Sequence, residues 1–435
     1  MKRTYWKIGL ILLVLALCIS EGSRTLVRAR EIDQLELVTS LGIDVSPDEP
    51  GLLDVMALGS ESGGDRPVTM QTEQQTLAQA VNELRVLPHD KLFFGHTEQL
   101  ILGEEAAKQD LGQHLDFIAR DISMRLDVEI YVAKHGKASD LIQAATDQMQ
   151  STFDYLKSAE EDMLILPVSY PFSGWEVLQQ LLATDGCALV SAVTMESQKK
   201  PVENSQKEQK GNDQSNQEKE KQKQIGGIAG SGQGSAMGAV QDENSIFIQV
   251  PKLDGYAVFR DYKLVDYITA EDAAGVNLIL NKLHDDIVVV DAPGGGTVAL
   301  AVTRGKTGIR PQFEKGKLQK VICSLSISAD INEVRGARQI TQPVVVKHLE
   351  EQLRMREVER VEKTISKAQQ LRADYLGIGK KIECAAPAQW RKIKDQWKTL
   401  FPIVPFQVEA EVKIDQTYDL NCPVERATAA ERKTQ

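Results

Sequence analysis

The chain has 435 residues and a formal net charge of −11, with 42% hydrophobic and 26% charged residues. This length is too great for one domain of ordinary size, so we expect two or three domains. The hydrophobic share is large enough to build buried cores, which indicates a globular protein. So acidic a chain lacks the basic face that phosphates require, and nucleic acid is therefore excluded as a partner.

Residues 1–27 have the layout of a signal peptide or membrane anchor. Basic residues precede an apolar run from Ile8 to Ile19, which is the order found in export signals. As a helix this run is about 18 Å long, shorter than the ~30 Å hydrocarbon core of a membrane. We therefore expect export, with the segment either kept as a strained anchor or cleaved near Gly22-Ser23.

Residues 28–196 predict one mixed α/β domain. Apolar and turn residues over 34–60 predict a hairpin, and residues 68–72 predict a third strand. A helix with Thr76 as its capping residue follows. Its apolar face comprises Leu77, Val81 and Leu84.

The stretch from Lys91 to Ile142 changes its hydrophobic period three times. A short strand near Leu100 precedes a helix that Asp110 is placed to cap. Strict alternation then predicts a half-buried strand, with these apolar residues: Leu126, Val128, Ile130 and Val132. A strand–helix–strand order with a helical crossover is what parallel pairing requires.

Residues 197–245 predict a disordered linker. The part up to Gln224 consists of Lys, Gln, Glu and Asn with almost no apolar residues, and a Gly/Ser/Ala-rich part follows. Such a composition cannot bury enough surface to offset the entropy lost on ordering. After the linker we predict a small middle α+β domain at 246–295, a C-terminal α+β domain at 296–420 and a tail at 421–435.

The elements of the second half are also readable from the sequence. A hairpin is predicted around Arg260–Tyr262, followed by a helix to Leu283. Further strands are predicted near 297–303, 307–314 and 318–333 as an antiparallel meander. A long amphipathic helix from Leu349 to Tyr375 is expected to pack on that sheet, before a last strand at 406–414. The fold class is therefore α+β, with three mixed α/β domains of small sheets packed by helices.

Most catalytic signatures are missing from the sequence. It contains no HExxH, GxSxG or Walker A motif, and its six histidines do not cluster. The glycines at 294–296 precede a strand and not a helix, so we predict a turn there. The five cysteines are scattered, which favours buried or unpaired thiols over a disulfide pair. We predict no enzymatic activity, no catalytic residues, no cofactor and no metal site.

Several passages occur in an order and spacing that is typical of one known family. They are Phe94-Gly95-His96, Leu115-Asp116-Phe117 with Arg120-Asp121, Tyr131–Ala138, Lys252–Asp261 and Ala373–Gly379. Together they resemble the Ger(x)C family, the GerAC-like C subunits of spore nutrient-germinant receptors. The resemblance covers roughly 28–420, except the linker.

The resemblance implies a non-enzymatic subunit that supports receptor assembly or signalling during spore germination. Its implied partners are the A-type and B-type membrane subunits of the receptor. Its implied location is the membrane, on the extracytoplasmic face of the spore inner membrane. The alternative function is that of an extracytoplasmic solute- or cell-wall-binding protein, which would need a ligand cleft.

Family members are usually lipoproteins, and this chain departs from that pattern. Leu26 stands where the lipidated Cys is expected before Arg30-Glu31-Ile32, and Cys18 follows a bulky Leu inside the apolar run. No lipidation is therefore expected. His96, Arg120 and Asp121 lie in the family-like passages and are candidate interface residues. For His96, a strand-end histidine bonded to backbone is the plainer interpretation.

Overall fold

The fold is described from a computed structural model of the chain. The described residues are 35–49, 51–60, 67–86, 91–147, 156–157, 168–183, 186–200, 246–283, 285–336, 340 and 342–416. The predictions made for residues 1–34, for 201–245 and for the tail lie outside this part, as do Leu26 and Cys18.

The described residues form strands and helices in the following order: β1 (Leu35–Val45), β2 (Leu53–Ser60), β3 (Pro67–Gln74), α1 (Leu77–Leu84), β4 (Lys91–Phe93), β5 (Gln99–Gly103), α2 (Glu104–Ala107), α3 (Leu111–Arg120), β6 (Glu129–Ala133), α4 (Ala138–Asp147), β7 (Phe172–Ser173), α5 (Gly174–Ala183), β8 (Ala188–Lys200), β9 (Ile246–Arg260), β10 (Lys263–Ile268), α6 (Ala270–Leu280), β11 (Asp286–Asp291), β12 (Thr297–Glu314), β13 (Lys317–Arg335), α7 (Pro343–Gln370), α8 (Ile378–Ala385), α9 (Pro387–Ile393), α10 (Trp397–Leu400) and β14 (Phe406–Gln416). Short 3₁₀ turns occur at Phe94–His96 and Lys394–Gln396.

The first sheet has the strand order β10-β9-β8-β6-β5-β1-β2-β3, with β4 beside β1 and β7 beside β6. The predicted opening hairpin is confirmed, because β1 and β2 pair antiparallel with Val45 opposite Leu53. The predicted parallel pairing is confirmed too, since β5 runs parallel to both β1 and β6.

Strand β6 is buried on both faces, so the prediction of a half-buried strand was wrong. Ile130 lies in the core cluster that also contains apolar residues of α3 and α5, while Tyr131 lies in a second cluster with residues of α4. Both side chains are fully buried. Parallel strands need crossover helices, and helices on both faces leave neither side of the strand in water. Alternation in the sequence therefore understated the burial.

Two predicted helix caps are confirmed. The Thr76 hydroxyl accepts a hydrogen bond from Gln79 N at 3.2 Å, and the Asp110 carboxylate accepts one from Gly112 N at 2.8 Å. Each side chain satisfies a backbone donor that has no partner inside its helix.

The hairpin of β9 and β10 is confirmed around Arg260–Tyr262, and its turn bonds to the first half of the chain. Asp261 and Tyr262 both adopt left-handed backbone angles, as a tight two-residue turn requires. Tyr262 N donates to Gly186 O at 2.9 Å, and Tyr262 O accepts from Leu111 N at 2.9 Å. These main-chain bonds tie the hairpin to elements that precede the predicted linker.

The second sheet has the order β11-β12-β13-β14. Residues 297–314 form one long strand with irregularities in register, and not the two strands predicted. A local shift between Val302 and Arg304 takes the place of the predicted turn. Strand β14 pairs parallel to β13, after the long helix α7 has crossed between them. The predicted packing of that helix on the sheet is confirmed, because Leu349, Leu353 and Val361 are fully buried in the core.

The α+β fold class is confirmed by two sheets with mixed helices. The structure places strands of the 246–295 segment in both sheets: β9 and β10 in the first, and β11 in the second. Strand β8 continues to Lys200. The division into three domains stays a prediction.

Cys187 and Cys323 are buried thiols, whereas Cys384 is exposed. Burial raises the pKa of Cys187 to about 12 and that of Cys323 to about 11. Neither thiol is a ready nucleophile at neutral pH, since the thiolate is the reactive form.

A charged cleft at the amino ends of the central strands

A cleft of about 210 Å³ lies where β5 and β6 begin. We call it the His96 cleft, and define it by the residues that line it: Gly95, His96, Thr97, Glu98, Arg125, Asp127, Glu129 and Lys157. It therefore contains one of the three residues that the sequence suggested as interface candidates.

Parallel pairing builds the floor of the His96 cleft. Glu129 N donates to Glu98 O at 2.8 Å, which joins the two strand starts. Thr97 N donates to Phe94 O at 3.1 Å and closes the short 3₁₀ turn that carries His96. The main chain at Thr97 and Glu129 is thus held by hydrogen bonds at the starts of the two strands.

Charges of both signs line the His96 cleft. His96 Nε2 lies 3.3 Å from Glu98 Oε1, and Arg125 is bonded to Asp127. The Thr97 hydroxyl is buried and has no hydrogen-bond partner among the described residues. This arrangement differs from the plainer interpretation of His96, because the imidazole faces a carboxylate and is 46% exposed.

Asp121 is connected to the His96 turn through Arg85. The Arg85 guanidinium is 3.1 Å from the Asp121 carboxylate and lies over the Phe94 ring, 5.3 Å from its centroid. Burial raises the pKa of Asp121, but bonds from Ser123 and Arg85 outweigh it and the pKa is lowered. Asp121 is therefore a charged anchor that holds the end of α3 against the turn.

Arg120 is not part of this contact. It pairs with Asp116 at 2.8 Å on the same helix, and 77% of its side chain is exposed. It lies on the surface beside Asp121, and among the described residues its ion-pair partner is Asp116 of the same helix.

Two exposed apolar side chains adjoin the Arg85–Asp121 pair, and the sequence alone did not single them out. Ile122 is 103% exposed and Val86 is 81% exposed. Each follows directly after one member of the ion pair. A signal was present in the sequence, since both are β-branched residues just past the end of a helical apolar stripe. Each lies next to a member of the Arg85–Asp121 ion pair, and no local pattern in the sequence reveals that pair.

The carboxyl ends of the same strands carry a second polar cluster, which joins residues before the predicted linker to residues after it. The Glu104 carboxylate accepts bonds from His135 N at 2.6 Å and from the Tyr267 hydroxyl at 3.1 Å. Lys134 Nζ lies 2.5 Å from Asp254. Burial raises the pKa of Glu104, yet the bonds it accepts from Lys108, His135 and Tyr267 lower it overall. Because the polar groups are paired with one another, the cluster acts as a brace between the sheet and the β9–β10 hairpin.

Asp44 is a further buried carboxylate at this end. It accepts bonds from Ala138 N at 2.8 Å and Ser139 N at 2.9 Å, at the start of α4. A Cβ on Gly103 would lie 1.9 Å from its Oδ1. Gly103 is thus required for the close approach of Asp44 to the helix N-terminus.

The described residues contain no group of three or more His, Cys, Asp or Glu side chains placed to hold a metal ion. In the same part of the chain, no helix is long and apolar enough to cross a membrane.

Comparison with known proteins gives consistent matches along the chain. Residues 28–195 match the family model "Spore germination protein N-terminal domain", and residues 254–418 match "Spore germination B3/ GerAC like, C-terminal". Spore germination protein KC of Bacillus subtilis is 23% identical, with 91% of this chain and 92% of that protein covered. Putative spore germination protein YfkR of the same organism is 20% identical, over 96% and 97% of the two chains.

One solved structure is also similar. The crystal structure of the GerBC protein matches with a TM-score of 0.49 and 15% identity, covering 86% of this chain and 97% of that one. Both family models match in the expected order, on either side of the segment predicted as a linker. The chain therefore belongs to the Ger(x)C family of GerAC-like spore germination proteins.

Proposed function

We propose that this chain is the C subunit of a spore nutrient-germinant receptor and that it supports receptor assembly or signalling without catalysis. The observation that carries the proposal is the pair of family matches, at 28–195 and 254–418. In this role it acts beside an A-type and a B-type membrane subunit, on the extracytoplasmic face of the spore inner membrane.

The contact surface that we propose is the rim of the His96 cleft with the adjoining Arg85–Asp121 pair. It combines exposed charges of both signs with the exposed side chains of Ile122 and Val86. Protein interfaces typically place apolar side chains in the centre and charged groups around them. His96, Arg120 and Asp121 are the family-like residues on this surface, and Asp121 holds the geometry through Arg85.

The function is tested by recovering the tagged protein from spore membranes in mild detergent and identifying what comes with it by mass spectrometry. We expect a multi-span membrane protein and a second membrane subunit. Recovery of the protein alone, mainly in the soluble fraction, would contradict the receptor function. A solute- or cell-wall-binding protein would then be the better description.

The contact surface is tested in the same experiment with Ile122→Asp. Because Ile122 is fully exposed, this change removes no internal contact and the chain is expected to fold. A buried charge at a contact centre should lower partner recovery by about tenfold or more. The matched control is Ile403→Asp, which changes a 74% exposed residue of the second half. Equal recovery with both variants would exclude this surface.

A further inference from the structure

A groove of about 730 Å³ lies between helix α5 on one side and the end of α6 with the start of α8 on the other. We call it the Lys381 groove, and define it by six of the residues that line it: Phe172, Leu182, Leu280, Tyr375, Leu376 and Lys381. Its volume is within the range of sites that hold small-molecule ligands.

Apolar side chains form the floor and one wall of the Lys381 groove. Phe172, Tyr375 and Leu376 are at most 5% exposed, so the floor belongs to the packed core. Leu182 lies on the wall that α5 provides and is 76% exposed. A ligand with an apolar body would remove this side chain from water, which is favourable.

One cation of the Lys381 groove has no carboxylate partner. Lys282 and Lys380, which also line the groove, lie 3.7 Å and 2.8 Å from the carboxylates of two glutamates. Among the described residues Lys381 is in no ion pair, and its ammonium donates to Ile279 O in the last turn of α6. The C-terminus of a helix supplies only about half an elementary negative charge. The charge of Lys381 is therefore neutralised in part.

The other groups near Lys381 do not complete its pairing. Burial lowers the pKa of Lys381, because a cation is costly away from water, while Cys323 and Asp374 act against that effect. The Asp374 carboxylate accepts three hydrogen bonds from other donors. Burial raises the pKa of the Cys323 thiol to about 11 and keeps it neutral. An anion in the groove would give the Lys381 ammonium the partner that these groups do not provide.

The walls of the Lys381 groove select the apolar part of the ligand. They are largely helical, from α5, α6 and α8, and main-chain groups inside a helix bond to one another. An extended peptide gains affinity from main-chain bonds to a sheet edge, which helical walls do not offer. An alkyl chain has no polar groups to satisfy, so it fits these walls better than a peptide does.

We propose that the Lys381 groove binds a single-chain fatty acid. The alkyl chain lies against Phe172, Leu182 and Leu280, and the carboxylate accepts a hydrogen bond from the Lys381 ammonium. One anionic head matches the one lysine of the groove that has no carboxylate partner among the described residues. The site goes beyond the proposed function, and its binding is measured without the other receptor subunits.

The test is isothermal titration calorimetry on the purified full chain with octanoate, decanoate and dodecanoate, each below its micelle concentration. We expect saturable binding, with an affinity that rises about fourfold for each added methylene. Decanol, which lacks the charge, and decylamine, which reverses it, should bind about tenfold more weakly than decanoate. No saturable binding of any fatty acid, or equal binding of decanol and decanoate, would overturn the proposal.

Variants locate the fatty acid in the Lys381 groove. Lys381→Met keeps the length of the side chain and removes its charge, so the affinity for decanoate should fall about tenfold or more while that for decanol stays the same. Leu182→Asp and Leu182→Lys are a matched pair, because both remove the same exposed side chain and leave the core intact. Leu182→Asp should weaken decanoate binding more than Leu182→Lys. Val344→Asp, at a 78% exposed position on α7, is the control and should change nothing.

Folding of the variants and the identity of the lipid are checked separately. Lys381→Met also loses its bond to Ile279 O, so its folding is measured by urea denaturation, and the Leu182 pair decides the outcome if it does not fold. Unchanged decanoate affinity in all three groove variants would reject the site. Vesicles of phosphatidylglycerol, compared with phosphatidylcholine, test a membrane lipid as the occupant. Vesicle binding that depends on Lys381, without binding of free fatty acid, would overturn the proposal.

Discussion

The buried polar side chains of this protein differ most in whether all of their hydrogen-bonding atoms have partners. Asp374 is a fully paired case: its carboxylate accepts bonds from Ile378 N at 2.8 Å, Gly379 N at 2.7 Å and Trp397 Nε1 at 2.8 Å. A Cβ on Gly379 would lie 2.7 Å from that indole nitrogen, so only glycine allows the approach. The family-like passage at 373–379 is thus explained as a helix cap that also holds a tryptophan.

Asp374 gives the first prediction, on pH. Burial raises its pKa from 3.8 to about 6 in spite of these bonds. Between about pH 4 and about pH 6 the folded chain then binds more protons than the unfolded chain, so stability falls as pH rises. In Asp374→Asn this contribution is absent, and the difference in unfolding free energy between wild type and variant should shift by up to about 3 kcal/mol over that window.

The measurement is urea denaturation of both proteins across this pH range. Asp415→Asn is the control, because Asp415 is exposed and Lys413 lowers its pKa. If the unfolding free energies of wild type and Asp374→Asn changed equally with pH, the raised pKa of Asp374 would be contradicted.

Two buried tyrosines give the second prediction. The Tyr256 hydroxyl accepts from Tyr170 N at 2.6 Å and donates to Asn277. Tyr256→Phe leaves the Tyr170 N–H without this acceptor and should lower the free energy of unfolding by about 1–3 kcal/mol. Tyr375→Phe should change it by less than about 0.5 kcal/mol, since that hydroxyl has no such bond to lose. Chemical denaturation measures both, and equal losses would show that the Tyr375 hydroxyl is bonded in solution.

At the scale of elements, the brace at the carboxyl ends of β5 and β6 is the feature that connects distant parts of the chain. The side chains of Lys134 and Asp254 are 12% and 28% exposed, and the two residues are 120 positions apart in sequence. Glu104 and Tyr267 make a second bond across the same boundary.

The brace gives the third prediction. Asp254→Lys places two lysines together and should lower the free energy of unfolding by about 1–3 kcal/mol, because one partner of a partly buried pair is lost. The double reversal, Lys134→Asp with Asp254→Lys, should restore more than half of that loss. Denaturation of the two single variants and the double variant measures the coupling. If the stability losses of the two single variants add up to the loss of the double variant, the two side chains do not stabilise each other.

The sequence predicted individual helices and strands better than it predicted how they pack together. Helix caps at Thr76 and Asp110 depend on near neighbours, and they were predicted with the correct side chain. The burial of Tyr131 depends on α4, which covers a face that alternation suggested was open. The long strand β12 was divided in the prediction because a shift in register resembles a turn in the sequence.

The candidate site shows the same limit. His96 could be selected because it lies in a recognisable passage, whereas no local pattern in the sequence marks Arg85. Arg85 matters only because the fold brings it to Asp121 and to the Phe94 ring. The Tyr375 hydroxyl could not be identified from sequence either, since a missing partner is a property of the packed structure.

At the scale of the whole molecule, the predicted linker gives the fourth prediction. Residues 201–245 replaced by a short Gly/Ser loop should leave the denaturant dependence of unfolding unchanged, because the segment carries little apolar surface to bury. Each halving of loop length lowers the closure cost by about 0.6 kcal/mol, so the free energy of unfolding should rise slightly. A scrambled segment of the original length is the control. A marked loss of stability in the shortened chain alone would show that the segment contributes to the fold.

The boundary between the two family matches does not coincide with a boundary between sheets. Strands β9 and β10 belong in sequence to the second half, yet they lie in the sheet that the first half builds. Tyr262 extends this continuity by exchanging main-chain bonds with Leu111 and Gly186. A chimera that joins the first half of one relative to the second half of another would therefore have to match strand edges as well as side chains. We therefore expect recombination between family members to preserve the two halves together.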